Sequence, residues 1–565
     1  MKYIIGVLST LAILFLVLSC RTKNRTQEES NKKEISGFPG KMDKIQINKY
    51  IDLSDSTKLP KEVERFYQSR DYRLAWLKKG KINKNGKEFL DELKSSWEEG
   101  LPATFYDMTG IEAAASDLER SSAKKSDLPP RLAQLDVLLS KAYLNYASDL
   151  SSGRVDPRDL AVIREIYPHK PDLAEYLEDA LQKKEIAESL VRLRPGQDQY
   201  QLLKKALKQL TQAKSNGGWP VPGYFATLKE NDSGPNVVQL KKFLLATGDL
   251  RNDAPSYIKS TDFDQQLSLA IKKFQRRHGL EEDGIAGQHT LKEMNRPIDD
   301  RIDQIRINLD RLRWRPDDDF GKKYIVINIP AFSFEYHNDG KPVQRMNVVV
   351  GRNENYTPVL NDTVDAIVFH PSWNVPSGIA AKEILPKIKA DPEYLSNNNY
   401  SLLKGSYISP DTINAEDIDW SAMTADNFSF FVVQNPGKMN PLGQVEFLMQ
   451  NQYNIYLHDT PADYLFSRKQ RDFSHGCIRL EKPVLLAKEL LADQLSPDSI
   501  REIISGKEKK RVNLRDKVPV HLIYQTTWVD QSGRIQFRND IYDFDKMSLS
   551  LFRNTPDKIQ TANSR

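Results

Sequence analysis

At about residue 320 the hydrophobic rhythm of this chain changes, and the change narrows its possible folds more than any other feature. Before it, apolar residues recur at three and four. Over 131–150, Leu132, Leu135, Val137, Leu138, Leu139, Ala142, Tyr143 and Tyr146 predict an amphipathic helix, and Val63, Phe66, Tyr67, Leu74 and Trp76 predict another over 61–77. After it, the period is two. Ile325, Ile327 and Ile329 alternate with Tyr324, Val326 and Asn328, and Asn338-Asp339-Gly340 is a hairpin turn leading to Val348-Val349-Val350-Gly351. A chain of 565 residues is also too long for one core. Helices followed by strands therefore predict a multidomain α+β protein with a mostly-β C-terminal domain.

Further strands are expected at Ala366–Phe369, Phe430–Val433, Asn454–His458, Cys477–Leu480 and Val518–Tyr524, with a helix over 483–495. The polar stretch 386–428 breaks the rhythm and reads as an insertion over the domain, a candidate lid. Between the two regimes, 234–296 reads as a compact three-helix unit. Asn236 is taken as the cap of the first helix, Gly248 as its stop, and Asp283-Gly284 with Gly287 as turns before the third.

The N-terminus reads as an export signal: Lys2, then an apolar run from Ile4 to Leu18, too short for a comfortable span, closing in Val17-Leu18-Ser19-Cys20. This end resembles a bacterial lipobox, which implies lipidation of Cys20 and attachment to a membrane. An uncleaved anchor helix is the other reading. Residues 21–47 form a polar tether, reaching on the order of 30 Å as a coil. The balance of 82 basic against 77 acidic residues leaves +5, no footprint for nucleic acid.

With Cys20 acylated, Cys477 is left as the sole cysteine of the mature chain, in Ser474-His475-Gly476-Cys477-Ile478-Arg479-Leu480. The bland reading is a buried thiol acting as a small hydrophobe. The flanking residues are polar, charged and glycine-containing, which favours a nucleophile. Alternation sharpens this. If 454–458 and 477–480 are extended, Ile455, Leu457, Ile478 and Leu480 face a core, while Tyr456, His458, Cys477 and Arg479 share the open face. His458 is then the base for the thiol, its ring oriented by an acceptor such as a backbone carbonyl. The amides of His475, Gly476 and Cys477 are candidate oxyanion donors, and Arg479 a ligand for a carboxylate or anionic intermediate. Against these stand an ion pair of Arg479 with Glu481 or Asp472, core packing for Tyr456, and a satisfied, partly buried ring for His475.

His458-Asp459-Thr460-Pro461 and Arg471-Asp472-Phe473-Ser474-His475-Gly476-Cys477-Ile478-Arg479-Leu480 resemble the active-site signature of YkuD-type L,D-transpeptidases. Trp373-Asn374-Val375-Pro376, Glu383-Ile384-Leu385-Pro386, Leu442-Gly443, Val518-Pro519-Val520-His521 and Ile535–Tyr542 are similar to the large multidomain subgroup. The turn over Glu281–Gly287 with Phe274-Gln275 resembles a peptidoglycan-binding module. The resemblance implies a signal peptide over 1–20, a helical scaffold domain over 48–214, a peptidoglycan-binding domain over 225–296, a catalytic domain over 320–530 and a C-terminal extension over 531–565.

It also implies the chemistry. Cys477 attacks the carbonyl between a diamino acid and a terminal D-Ala of a stem peptide, a thioester forms, and the side-chain amine of a second stem resolves it into a 3→3 cross-link. Carbapenems are expected to acylate the same thiol. Ser474, Trp373 and Asn374 join Arg479 and Tyr456 as expected substrate contacts. No cofactor and no metal are needed, the partners are donor and acceptor stems, and Arg21 after the lipobox favours the outer membrane of a Gram-negative bacterium. One departure is the anchor, since the subgroup often carries a membrane-spanning one. A zinc site of His458, Asp463 and His475, a non-enzymatic anchoring lipoprotein, and an L,D-carboxypeptidase using water are the alternatives.

Overall fold

Left-handed Asp71 and Tyr72 stop the first helix, and Asp136 pins the chain beyond it. In this computed structural model, which describes residues 47–49, 61–120, 127–160, 163, 166–168, 170–315, 320–405 and 410–554, the carboxylate of Asp136 accepts from the backbone amides of Ala75 (2.9 Å) and Trp76 (2.8 Å) and from the Tyr67 hydroxyl (2.7 Å). Those amides cannot also serve a helix. The helix expected over 61–77 therefore ends early, at Lys61–Ser69, and Leu77–Lys78 turns into a short strand paired with Lys81–Ile82. The long helix fits its pattern closely, at Leu128–Ser152. Gly153 ends it at φ +79°, where a Cβ would meet Trp314 at 2.8 Å. Cys20 and the rest of 1–46 lie outside the described residues, as do 406–409 of the expected lid and 555–565 of the extension. Among the described residues no helix is long and apolar enough to cross a membrane.

The small unit holds helices Pro235–Ala246, Gln265–Arg277 and Gln288–Met294 around its own core of Val237, Leu240, Leu244, Leu267, Ile271 and Phe274. A further short helix, Pro255–Lys259, was not foreseen. Asn236 does not cap the first helix. Gly234 occupies the cap and Pro235 the first turn, where the missing N–H costs nothing. Buried Gln275 ties the turn together, donating to Asp283 (2.7 Å) and Thr290 (3.1 Å) and accepting from the Gly284 amide (2.9 Å).

Helix Ile298–Arg313 falls between the expected domains and joins them. Its Arg313 donates to the Tyr200 hydroxyl (2.8 Å) on the scaffold side, Asn308 to Thr526 Oγ1 (2.7 Å) on the β side, and Arg311 to Asp545 (2.5 Å) in the C-terminal helix Phe544–Asn554. The expected extension is thus partly built into the body.

The β-domain consists of β1 (Lys323–Asn328), β2 (Ser333–Asn338), β3 (Lys341–Gly351), β4 (Leu360–Phe369), β5 (Val445–Met449), β6 (Leu457–His458), β7 (Asp472–Ser474), β8 (Ile478–Leu480) and β9 (Lys510–Ile523). Their order is β7-β3-β8-β6-β5-β4-β9-β1-β2, and β2 pairs back to β3, so the pairing closes on itself. The β2–β3 hairpin turns at Asp339 (φ +49°) and Gly340 (φ +72°), the conformation a tight hairpin needs. Ile329 leaves the expected strand for a 3-10 turn, and the helix expected over 483–495 is Pro483–Leu490.

The insertion is larger than 386–428. Trp373–Asn374, Phe431–Gln434, Tyr400–Gly405 and Pro410–Ile413 form a separate four-stranded sheet in that order. Val375, Ala380, Ile384, Ile388, Leu395, Leu402 and Val432 fill its core. Val375, Ala380, Ile384 and Val432 of that core lie outside the polar stretch, which is why composition alone drew it too short.

Candidate active site

Three strands bring the site together. The middle one, β6, pairs parallel with β8, Leu457 opposite Ile478 and His458 opposite Arg479. On its other side β5 pairs antiparallel, with Glu446 opposite His458. Glu446 is in turn opposite Val368 of β4, and Arg479 opposite Val349 of β3. Residues aligned across a sheet share a face, so a carboxylate, an imidazole and a guanidinium stand in one row. Cys477, two residues before Arg479, shares that face. Phe447, Leu457, Ile478, Leu480, Val348 and Val350 point the other way and are fully buried in the main core. The alternation read from the sequence therefore assembles the thiol and the imidazole as expected, although 454–458 is not all strand. Asn451 accepts from the amides of Tyr453 and Ile455 (3.1 Å each) and curls the chain, leaving Asn454 at φ +53° and only Leu457–His458 extended.

The turn before Cys477 is held from beneath. Gly476 has φ +118°, which favours glycine, and a Cβ there would meet Ile455 Cδ1 at 3.1 Å. Its carbonyl accepts from Thr357 Oγ1 (2.7 Å), whose oxygen accepts from the Gly351 amide (2.9 Å). Ser474 is buried. Its hydroxyl donates to the Cys477 carbonyl (2.6 Å) and accepts from the Gly476 amide (3.1 Å). Two expectations change here. Ser474 braces the turn and does not face substrate, and the Gly476 amide is engaged and is no free oxyanion donor. The engagement is physical necessity, because a buried amide needs an acceptor.

The Cys477 thiol donates to the Asn454 carbonyl at 3.4 Å. Burial pushes it up to about 11, with Glu446 adding to the rise while the Tyr456 amide and the Arg479 charge oppose it. His458 is 5% exposed, and its Nδ1 meets the Asp459 carbonyl at 2.5 Å. This is the backbone acceptor expected to orient the ring. Burial, followed by the Arg479 charge, lowers it to about 4. At neutral pH the pair therefore rests as thiol and neutral imidazole, the state in which His458 can accept a proton.

Arg479 does not form the ion pair with Glu481 or Asp472 weighed above. Glu481 accepts from the Asn347 amide (3.1 Å) and side chain (3.2 Å), and Asp472 from Gln470 (3.3 Å). Arg479 Nε is buried without a hydrogen-bond partner, and burial lowers the guanidinium's pKa. Tyr456 is partly exposed, its hydroxyl 3.3 Å from Asn454 Oδ1.

His475 points away from this row. Its Nε2 lies 2.8 Å from Glu383 of the insertion and 3.1 Å from Arg352. It is an exposed link between the catalytic turn and the cap, a role that its sequence neighbours do not signal. Trp373 packs against the cap core and Asn374 is exposed on the same edge strand, pairing with Val433. Neither is brought into the row. His458, Asp463 and His475 are not gathered as ligands, and among the described residues no group of three or more His, Cys, Asp or Glu is placed to hold a metal ion.

A thiol and a carbonyl-oriented imidazole thus stand on one face of a mostly-β domain. Comparison with known proteins narrows their role. Residues 322–514 match the L,D-transpeptidase catalytic domain of the YkuD family, 61–207 the scaffold domain, and 233–294 the "Putative peptidoglycan binding domain". A Haemophilus influenzae protein named "Putative L,D-transpeptidase" is 36% identical over 246 residues, 43% of this chain and 48% of that protein. The chain thus spans about half the length of this curated relative. Among solved structures, an L,D-transpeptidase from Mycobacterium smegmatis shows 17% identity over 36% of this chain and 58% of its own, with a TM-score of 0.18. One from Stackebrandtia nassauensis shows 13% identity over 53% and 97%, with a TM-score of 0.20. Overlaps this low carry no weight below.

Proposed function

We propose that the protein is an L,D-transpeptidase that forms 3→3 cross-links in peptidoglycan through a thioester at Cys477. The observation that carries this reading is the placement of Cys477 and His458 on one face of adjacent strands inside the matched catalytic domain. In the first half-reaction the S–H bond breaks as His458 takes the proton, and sulfur bonds to the carbonyl carbon between the diamino acid and D-Ala. The tetrahedral intermediate collapses, the C–N bond breaks, and the D-Ala amine leaves with the proton from His458. In the second, the side-chain amine of an acceptor stem attacks the thioester, gives up a proton to His458, and releases the thiol. Arg479, half-buried and with its Nε unpartnered among the described residues, is suited to a substrate carboxylate or to the developing oxyanion.

The small domain supports a polymeric substrate. Its Glu282 pairs with Lys469 of the catalytic domain (3.2 Å), and His278 stacks on Phe537 with centroids 5.4 Å apart. A groove of about 820 Å³ runs between the two, lined by Gln275, Glu282 and Asp283 on one wall and Lys469, Arg471 and Asp472 on the other. Asp472 opens β7, the strand that ends at the catalytic turn. Glycan held by the small domain would thus be delivered beside the nucleophile.

The N-terminal sequence supports lipidation at Cys20, with the body on the periplasmic face of a membrane, the outer one favoured by Arg21. Intact-protein mass spectrometry with a carbapenem, together with muropeptide analysis of treated sacculi, tests the reading. A single adduct on Cys477 and new 3→3 dimers are expected. Adduct formation with only shortened stems as product would make the enzyme an L,D-carboxypeptidase instead. No adduct on Cys477 with drug or donor would end the proposal.

A further inference from the structure

Glu446 stands at the far end of the row and the reaction above does not use it. It lies directly opposite His458, on the side away from the thiol strand. It is half-buried, and among the described residues it forms no hydrogen bond or ion pair of its own. A partly desolvated carboxylate aligned with the imidazole across one strand pairing calls for a reason. Across the sheet the order is Cys477 and Arg479 on β8, His458 on β6, Glu446 on β5.

We propose that Glu446 is a positioning residue for proton transfer, its carboxylate stabilising the imidazolium that forms when His458 takes the Cys477 proton. This rests on the reading of Cys477 as nucleophile. The argument is one of sign and distance. Proton transfer creates a cation on His458 and an anion on Cys477. Arg479 beside the thiol stabilises the anion but opposes the cation, and it does lower both groups. A negative charge behind the imidazole corrects the second effect. Glu446 is one strand spacing from His458, about 5 Å, and two from the thiol strand, on the order of 10 Å. Glu446 does raise the thiol, and in this proposal its hold on the imidazolium, at the shorter spacing, is the larger of the two effects. The S–H bond breaks, its proton goes to the imidazole nitrogen not held by the Asp459 carbonyl, and Glu446 itself neither gains nor loses a proton in the step.

The charged groups around Glu446 are named by the register. β6 presents His458, and Asp459 follows it with its carboxylate accepting from the amides of Gln444 (2.7 Å) and Thr460 (2.8 Å). β8 presents Cys477 and Arg479. β4 presents only Val368, and beyond it β9 aligns Arg511, with Lys509 just before that strand. Burial raises Glu446 to about 7, with Lys509 opposing. His458 at about 4 and Cys477 at about 11 do not titrate between pH 6 and 8. Glu446 does.

The test is labelling of Cys477 in the full chain by iodoacetamide, a small neutral alkylating agent, followed by intact mass from pH 5 to 9. In the wild type the rate is expected to rise through an apparent pKa near that of Glu446. In Glu446→Gln the rise is expected to vanish, leaving the rate at pH 8 about tenfold lower, the equivalent of about one pKa unit of lost imidazolium stabilisation. Glu446→Asp, which keeps the charge, should retain the rise and shows the effect even if the amide variant folds poorly. Melting should separate chemistry from packing, with Glu446→Gln at least as stable as wild type at pH 8, where a buried charge has been removed. A wild-type pH profile in Glu446→Gln, or faster labelling at pH 8, overturns the proposal while leaving the nucleophile intact. Absence of labelling at Cys477 in the wild type removes the nucleophile reading itself.

Discussion

Two carboxylates, fully buried Asp136 in the helical region and half-buried Glu446 in the β-domain sheet, show how differently the two regions treat charge. Both are raised by burial, Asp136 to about 6 and Glu446 to about 7. Asp136 is surrounded by donors, since Ala75, Trp76, Tyr67 and the neighbouring Ser140–Trp76 contact (2.8 Å) close its pocket. It holds a chain reversal in place. Among the described residues Glu446 accepts no hydrogen bond. Where a buried acid is saturated with hydrogen bonds its job is structural, and where it stands unsaturated beside a thiol and an imidazole its charge is available to the chemistry.

Substitutions can break this contrast. Removing the nucleophile has the largest effect: Cys477→Ala should give no adduct and no cross-linking, with unchanged melting, read by intact mass and calorimetry. His458→Ala comes next. Acylation should slow by about 10²–10⁴-fold, and a loss as small as that of His475→Ala would remove His458 as base. Asp136→Ala should show the reverse pattern. It strands the buried amides of Ala75 and Trp76, so stability should fall by about 3 kcal/mol or more, measured by urea unfolding, while labelling per folded molecule stays within twofold. Gly476→Ala places a side chain at φ +118° against Ile455, and about 1–3 kcal/mol of strain should appear as slower acylation. The smallest effect is expected for Glu383→Ala. The His475–Glu383 contact is exposed, worth about 1 kcal/mol or less, and its loss should show only as faster amide exchange across the cap.

The pH dependence of stability carries the same contrast. Both carboxyls have folded pKa values above their unfolded ones, so each adds stability that is complete below about pH 4 and is lost as pH rises through about 6 for Asp136 and about 7 for Glu446. Glu446→Gln should therefore flatten the decline in melting temperature between pH 5 and 8, and an unchanged slope would show that Glu446 is not buried in solution.

Much of the site is legible in the amino-acid pattern. The alternation around Leu457 and Ile478 puts Cys477 and His458 on one face whatever their partners, and Asn338-Asp339-Gly340 can do little but turn. Glu446 is not legible there. Val445-Glu446-Phe447 reads as an ordinary half-exposed strand, and nothing local says that position 446 pairs with 458. Ser474 misleads for a related reason. A serine beside a nucleophile looks available to substrate until the turn at Gly476 shows that the hydroxyl is needed inside. The cap reads too short because its outlying strands in sequence, Trp373–Asn374 and Phe431–Gln434, look like those of the main sheet.

The amino-acid pattern alone determined the change from helix to strand and the face that Cys477 shares with His458, because side-chain direction in a strand repeats every two residues. Only the tertiary structure decided which strands became neighbours, and with that the carboxylate behind His458, the half-buried Arg479 and the helix Ile298–Arg313 that binds the regions together. Pairing between distant segments depends on which buried surfaces and backbone groups find partners, and no stretch of sequence carries that information by itself.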